Sequence, residues 1–152
     1  MSSPSCRECE RPVCLVSACL LGCPTRYDGK AKPAPFLPLD RFVVIPVCPE
    51  KLAGLPTPRP PQMLYGGDGF AVLDGKARVV NELGTDVTAA FLAGAEKTLA
   101  LARFHGASLA MLKGRSPACG AGTIWMDGRV TRGFGVAAAL LSRNGVTCLE
   151  VN

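Results

Sequence analysis

Apolar residues in this chain fall into short unbroken runs, and one longer stretch repeats at helical spacing. "VCLVSA", Val13 to Ala18, is a compact apolar run next to turn residues, and it predicts a buried strand. "RFVVIPV", Arg41 to Val47, predicts a second strand, "SLAML", Ser108 to Leu112, a third, and "VTCLEV", Val146 to Val151, a fourth. Between the second and third, Phe91, Ala95, Leu99 and Ala102 recur at helical intervals. They predict a helix from Val87 to about His105, capped by Thr85 or Asp86 and stopped by Gly106. A second helix is expected over Gly135 to Asn144, ending at Gly145. "TIWMDGRV" predicts a small hairpin around Asp127-Gly128.

The segments between these elements read as loops. "CLLGCPTRYDGKAKP" is punctuated by Gly22, Pro24 and Gly29. Five prolines between Pro49 and Pro61 predict an irregular segment. "GGDG", Gly66 to Gly69, resembles a phosphate-cradling loop only superficially and is expected to be a plain turn. Residues 1–12 are polar and are expected to form a loose leader before a single domain over 13–152. Strands alternating with helices predict an α/β fold with a mainly parallel sheet.

Composition narrows the function classes. No run of eighteen apolar residues suggests a membrane span, and the N-terminal segment lacks the apolar core of a secretory signal, so a cytoplasmic location without membrane association is expected. The net charge of +5 is scattered along the chain, and aromatics make up 6%, too few for a stacking surface along a strand, so no nucleic-acid partner is expected. Eight cysteines against a single histidine, His105, change the picture more. In a reducing compartment they point to metal binding or thiol chemistry rather than disulfides.

Their placement is informative. Cys19 directly follows the first predicted strand and Cys48 the second, while Cys119 lies in the "KGRSPACGAG" loop after the third. In a parallel sheet these loops emerge at one edge, where open α/β folds bind their ligands. Three thiols can converge there, as in an iron–sulfur centre; a closed zinc site would want a fourth ligand and closely spaced pairs. A cubane held by three cysteines leaves one iron open to act as a Lewis acid. Cys14 and Cys148, inside apolar strands, are expected to pack in the core. Cys6 and Cys9 form a lone C-x-x-C pair, which is weak evidence of a second metal site, and Cys23 stands close to Cys19. His105 reads as a residue compensating a helix end.

"VSACLLGCPTRYDG", "VCPEKLAGLPTPRPP", "LDGKARVV", "DVTAAFLAGAE" and "LKGRSPACG" together resemble the 2-thiouracil desulfurase family, over roughly Val13 to Val151. The resemblance implies a single-domain, Rossmann-like three-layer fold. It also implies a 4Fe–4S cluster on Cys19, Cys48 and Cys119 and removal of sulfur from a small thiolated pyrimidine, giving uracil and hydrogen sulfide; a mechanism in which the cluster keeps its redox state is expected. Where the family often has an acidic residue near the end of the proline-rich loop, this chain has Gln62-Met63, and the segment before Gly135 is shorter than usual.

Ser116 and Glu50 are the candidate catalytic residues, as a proton-relaying hydroxyl and a general acid or base; each also has a structural reading, as a turn serine and a loop brace. Ser17, Arg26, Asp28 and Arg59, with Tyr27, belong to the same edge loops and are candidates for binding substrate. A monomer or weak homodimer is expected. Two rivals stand beside the enzyme: a cysteine-rich zinc or cluster-binding redox or metal module, and a sulfur carrier in RNA thiolation.

Overall fold

The computed structural model describes residues 11–34 and 37–152. The expected leader, apart from Arg11 and Pro12, and the Cys6/Cys9 pair lie outside the described residues. Four strands, β1 (Val13–Ser17), β2 (Val43–Val47), β5 (Leu109–Lys113) and β8 (Thr147–Val151), form an all-parallel sheet in the order β2-β1-β5-β8. These are the four apolar runs of the sequence. Pro46 is tolerated because β2 is the edge strand, where a missing N–H breaks no central ladder.

A second four-stranded sheet was anticipated only in its hairpin. It comprises β3 (Gln62–Tyr65), β4 (Arg78–Asn81), β6 (Ala121–Met126) and β7 (Arg129–Phe134), in the order β4-β3-β6-β7. The expected hairpin supplies β6 and β7, turning at Asp127 (φ 51°) and Gly128 (φ 85°). β3 and β4 are four residues each, too short to show a periodicity. The Glu150 carboxylate at the end of β8 accepts from the Thr123 N–H (2.7 Å) and hydroxyl (2.9 Å), tying the two sheets together.

The long helix α3 (Thr88–His105) buries Phe91, Ala95, Leu99 and Ala102, the face its spacing predicted, and Asp86 accepts from the Thr88 N–H at 2.9 Å. Two short helices correct the expectation of irregular chain. α1 (Pro49–Leu52) starts on a proline, which costs nothing at a first helical position because that N–H has no partner to lose. It packs against α3 where Gly94 leaves no side chain to collide with the Pro49 backbone. α2 (Gly69–Leu73) follows the glycine-rich turn, so "GGDG" does join a strand to a helix. Its Asp68 side chain accepts from the Phe70 and Ala71 N–H groups, which fills that helix start with a carboxylate and leaves it no use for a phosphate.

α4 (Val136–Arg143) is almost wholly buried, and no side chain caps its start. Its first amides are satisfied by the Cys119 loop instead: Gly135 N–H bonds Gly120 O (2.8 Å), Val136 N–H bonds Pro117 O (2.8 Å), and Ala137 N–H bonds Ala118 O (3.0 Å). A Cβ on Gly135 would lie 2.5 Å from the Ala118 carbonyl carbon, so helix and loop touch backbone to backbone. Gly135→Ala is therefore expected to lower stability by about 1–3 kcal/mol. Urea titration should show an earlier midpoint with far-ultraviolet circular dichroism little changed before the transition.

Candidate functional site

The parallel strands end together, and the chain after β1, β2 and β5 builds most of one cavity of about 470 Å³. Cys19 enters from the 3₁₀ turn Ala18–Leu21 after β1, and Cys48 precedes the first turn of α1 after β2. Cys119 lies just behind the Ala118 wall, buried and packed with the main core. The loop cysteine is thus turned inward, not held out to solvent. Burial pushes its thiol well up, the Ser17 hydroxyl beside it opposes that, and Cys48, Glu50 and Cys19 are close enough for their charges to add to the rise. Burial likewise raises Cys19, with Cys48 adding to it. The Cys48 thiol faces the Thr25 carbonyl at 3.9 Å. Cys14 is core-packed as expected, Cys148 bonds the Ala138 and Val146 carbonyls, and Cys23 lies outside the cavity wall.

Among the described residues no three His, Cys, Asp or Glu side chains close around a single metal ion. Cys19, Cys48 and Cys119 are nevertheless near enough for their charges to act on one another. A donor set of spread thiolates fits a multi-iron group, in which each sulfur meets its own iron, better than it fits one tetrahedral ion.

Ser116 carries both of its readings at once. Its Oγ accepts from the Ala118 N–H (3.2 Å) and the Cys119 N–H (2.9 Å), making the turn that presents Cys119. A hydroxyl used twice as acceptor still has its own proton to donate, and Ser116 lines the cavity. The turn is entered through Arg115, whose φ of 65° is left-handed for a residue with a side chain.

Glu50 and Arg59 form a buried ion pair in the cavity wall. Burial raises the Glu50 carboxyl above its ordinary value, and the Arg59 guanidinium opposes part of that rise. Arg59 also donates to Pro56 O (3.3 Å), Thr57 Oγ1 (3.1 Å) and Thr25 O (3.0 Å). It laces the proline-rich loop to the loop after β1, and its guanidinium is committed to protein partners apart from a buried, unpartnered Nε.

The remaining candidates divide. Arg26 and Tyr27 line the cavity. Ser17 also lines it, but its Oγ accepts the Lys113 N–H at 3.0 Å, so its first task is to join β1 to β5. Asp28 is a correction: it stands outside the cavity wall, accepting the Lys30 N–H and pairing with Arg26 at 3.5 Å. Gln62 and Met63, singled out in the sequence as a departure from the family pattern, are on the wall; sequence reasoning missed Lys32, Lys113, Arg115 and Trp125, also on it. Burial lowers Lys113, and Lys32 nearby lowers it further, the mark of a cationic cluster held partly out of water. Lys113 and Arg115 flank the start of the Cys119 loop, and that adjacency was the available signal.

A family model described as 2-thiouracil desulfurase matches residues 14–152. The chain belongs to this family. An uncharacterised protein of Bacillus subtilis (strain 168), YbbK, is 41% identical over 143 residues, covering 91% of this chain and 95% of that one. A solved structure described as a 4Fe–4S-dependent thiouracil desulfidase, TudS, is 40% identical, covers 91% of this chain and 90% of its own, and superposes with a TM-score of 0.78. The α/β fold is shared with that protein. No described helix is long and apolar enough to cross a membrane.

Removing one member of the Glu50–Arg59 pair strands a buried charge. Arg59→Met is expected to cost about 3–5 kcal/mol in denaturant titrations of the iron-free protein. The double variant Arg59→Met with Glu50→Gln is expected to regain most of that loss, because neither charge is then left alone.

Proposed function

We propose that this protein is a 4Fe–4S-dependent desulfurase that converts a small thiolated pyrimidine such as 2-thiouracil into uracil and hydrogen sulfide. The observation that carries the reading is a cavity of about 470 Å³ at the strand ends, lined by Cys19 and Cys48, with Cys119 behind its Ala118 wall and near enough to feel the charges of both. The family and the name of the solved relative support it.

Cys19, Cys48 and Cys119 hold the cluster. When bound, the cluster supplies an iron free of protein ligands, a Lewis acid suited to polarising a carbon–sulfur bond. Glu50, raised by burial and steadied by Arg59, takes a proton from the attacking water. Water oxygen bonds to the ring carbon, the carbon–sulfur bond breaks, and sulfur departs as hydrosulfide, with no change of oxidation state. The Ser116 hydroxyl passes its proton at the cavity wall to the ring or to the departing sulfur and regains one from water, and Glu50 returns its proton to water, so the site is reset. Lys113, Lys32 and Arg26 offset the negative charge that the thiolates and hydrosulfide bring into a partly dry space.

Changing Cys19, Cys48 or Cys119 singly to Ser is expected to lower iron content and sulfide release together, because an alkoxide is a poor substitute for a thiolate. Ser116→Ala and Glu50→Ala are expected to lose about a hundredfold or more in kcat per cluster-loaded enzyme, the Glu50 variant also losing stability because Arg59 is left unpaired. A cysteine variant with full iron and full turnover would contradict the ligand assignment, and two alanine variants with wild-type kcat would contradict the proton roles.

The main hydrophobic core is built from the sheets and helices, with Cys119 as the one candidate ligand in it. Stripping the iron is therefore expected to leave a cooperatively folded protein, unlike a zinc finger. Circular dichroism and a denaturant transition before and after chelation check this.

A further inference from the structure

Aromatic residues are scarce in this chain: one tryptophan, two tyrosines and six phenylalanines in 152 residues. The only tryptophan, Trp125, and one of the two tyrosines, Tyr27, both line the same cavity. They reach it from different parts of the fold, Tyr27 from the loop after β1 and Trp125 from β6 of the second sheet. Both keep about two-fifths of their surface exposed (Tyr27 40%, Trp125 41%). Along β6 the buried Ile124 faces the core and Trp125 takes the other side. The Leu64–Met126 register between β3 and β6 sets Met63, also on the cavity wall, beside Trp125. The cavity is therefore chemically two-sided. Cysteines, Glu50, Ser116 and the lysines occupy the strand-end floor, and large apolar side chains rim the second sheet.

We propose that Trp125, with Tyr27, is the specificity-determining stacking surface for the substrate's ring. This rests on the reading that the cavity takes a thiolated pyrimidine. A pyrimidine has polar edges and two flat, weakly solvated faces. The floor groups can bond only its edges, so its faces need a partner that costs little ordering, and a tryptophan with two rotatable bonds meets that need. Stacking on a base is tolerant of ring substituents. The surface therefore selects for flat heteroaromatic rings, and the floor selects for the sulfur.

Because Trp125 is the only tryptophan, its emission reports on this wall alone. The experiment uses the cluster-loaded enzyme, with uracil as binding probe and 2-thiouracil as turnover substrate. Wild type, Trp125→Phe, Trp125→Ala and Tyr27→Leu are compared, and iron content and cluster absorbance are measured in each. Uracil is expected to change the tryptophan emission saturably. In Trp125→Ala the calorimetric Kd for uracil and the KM for 2-thiouracil are expected to rise about fivefold to a hundredfold, with kcat and iron content held. Trp125→Phe, which keeps a ring, is expected to recover most of the affinity, and Tyr27→Leu to show a smaller loss.

Wild-type uracil affinity in Trp125→Ala, or no emission change at calorimetric saturation, would overturn the proposal. If 2-thiouracil still releases sulfide with an unchanged KM in Trp125→Ala, stacking fails and the desulfurase reading stands. If uracil binding depends on Trp125 but wild type releases no sulfide, the stacking surface stands and the desulfurase reading fails. If neither ring binds wild type, both fail.

Discussion

The start of α4 is buried among apolar residues, and buried amides must find acceptors. Alanines dominate that helix, water cannot reach its first turn, and no serine or aspartate caps it. The carbonyls of Pro117, Ala118 and Gly120 fill the role. One interaction thus satisfies the helix and fixes the loop that carries Cys119. The Ser116 hydroxyl completes the turn from the other side by accepting two of the loop's own N–H groups. A ligand-bearing loop would ordinarily be the mobile part of a site. Here it is anchored to the core, and so Cys119 is buried while its neighbours on the cavity wall are not.

The second constraint is electrostatic. A buried carboxylate and a buried guanidinium are each costly alone and tolerable together, provided their other hydrogen-bonding groups are met. Arg59 meets this condition through the carbonyls of Thr25 and Pro56 and the hydroxyl of Thr57. Those bonds pull the proline-rich loop and the loop after β1 against α1, and so hold Cys48 and Glu50 in the same corner as Cys19. The chemistry of Glu50 and the closure of the cavity on that side depend on one arginine. An arginine this committed to protein partners is a positioning residue rather than one free to greet a substrate.

The two sheets divide the labour. The parallel sheet delivers thiols and protonable groups because its strands all end at one edge. The mixed sheet delivers the opposite wall, with Gln62, Met63 and Trp125. The Glu150–Thr123 bonds join the end of β8 to β6, so the polar floor and the aromatic rim are parts of one rigid frame.

By itself the sequence determined what local periodicity encodes. Four apolar runs became the parallel sheet, the helical spacing of Phe91 to Ala102 became α3, and Cys19 and Cys48, placed just after strands, line one cavity at the strand ends. Those outcomes need only the rule that parallel strands end together. Tertiary structure decided the rest. β3 and β4 carry too few residues to announce themselves and exist because β6 and each other give them partners. Asp28 reads like its neighbours Arg26 and Tyr27 but turns to the Lys30 amide and away from the cavity. The bonds that settle the site span long stretches of chain: Thr25 to Arg59, Ser17 to Lys113, Thr123 to Glu150. No periodicity relates such residues; only the packing of one loop against another brings them within bonding distance, and for that reason Lys32, Lys113, Arg115 and Trp125 on the cavity wall were hidden while Cys19, Cys48, Glu50 and Ser116, in the strand-end loops, were legible.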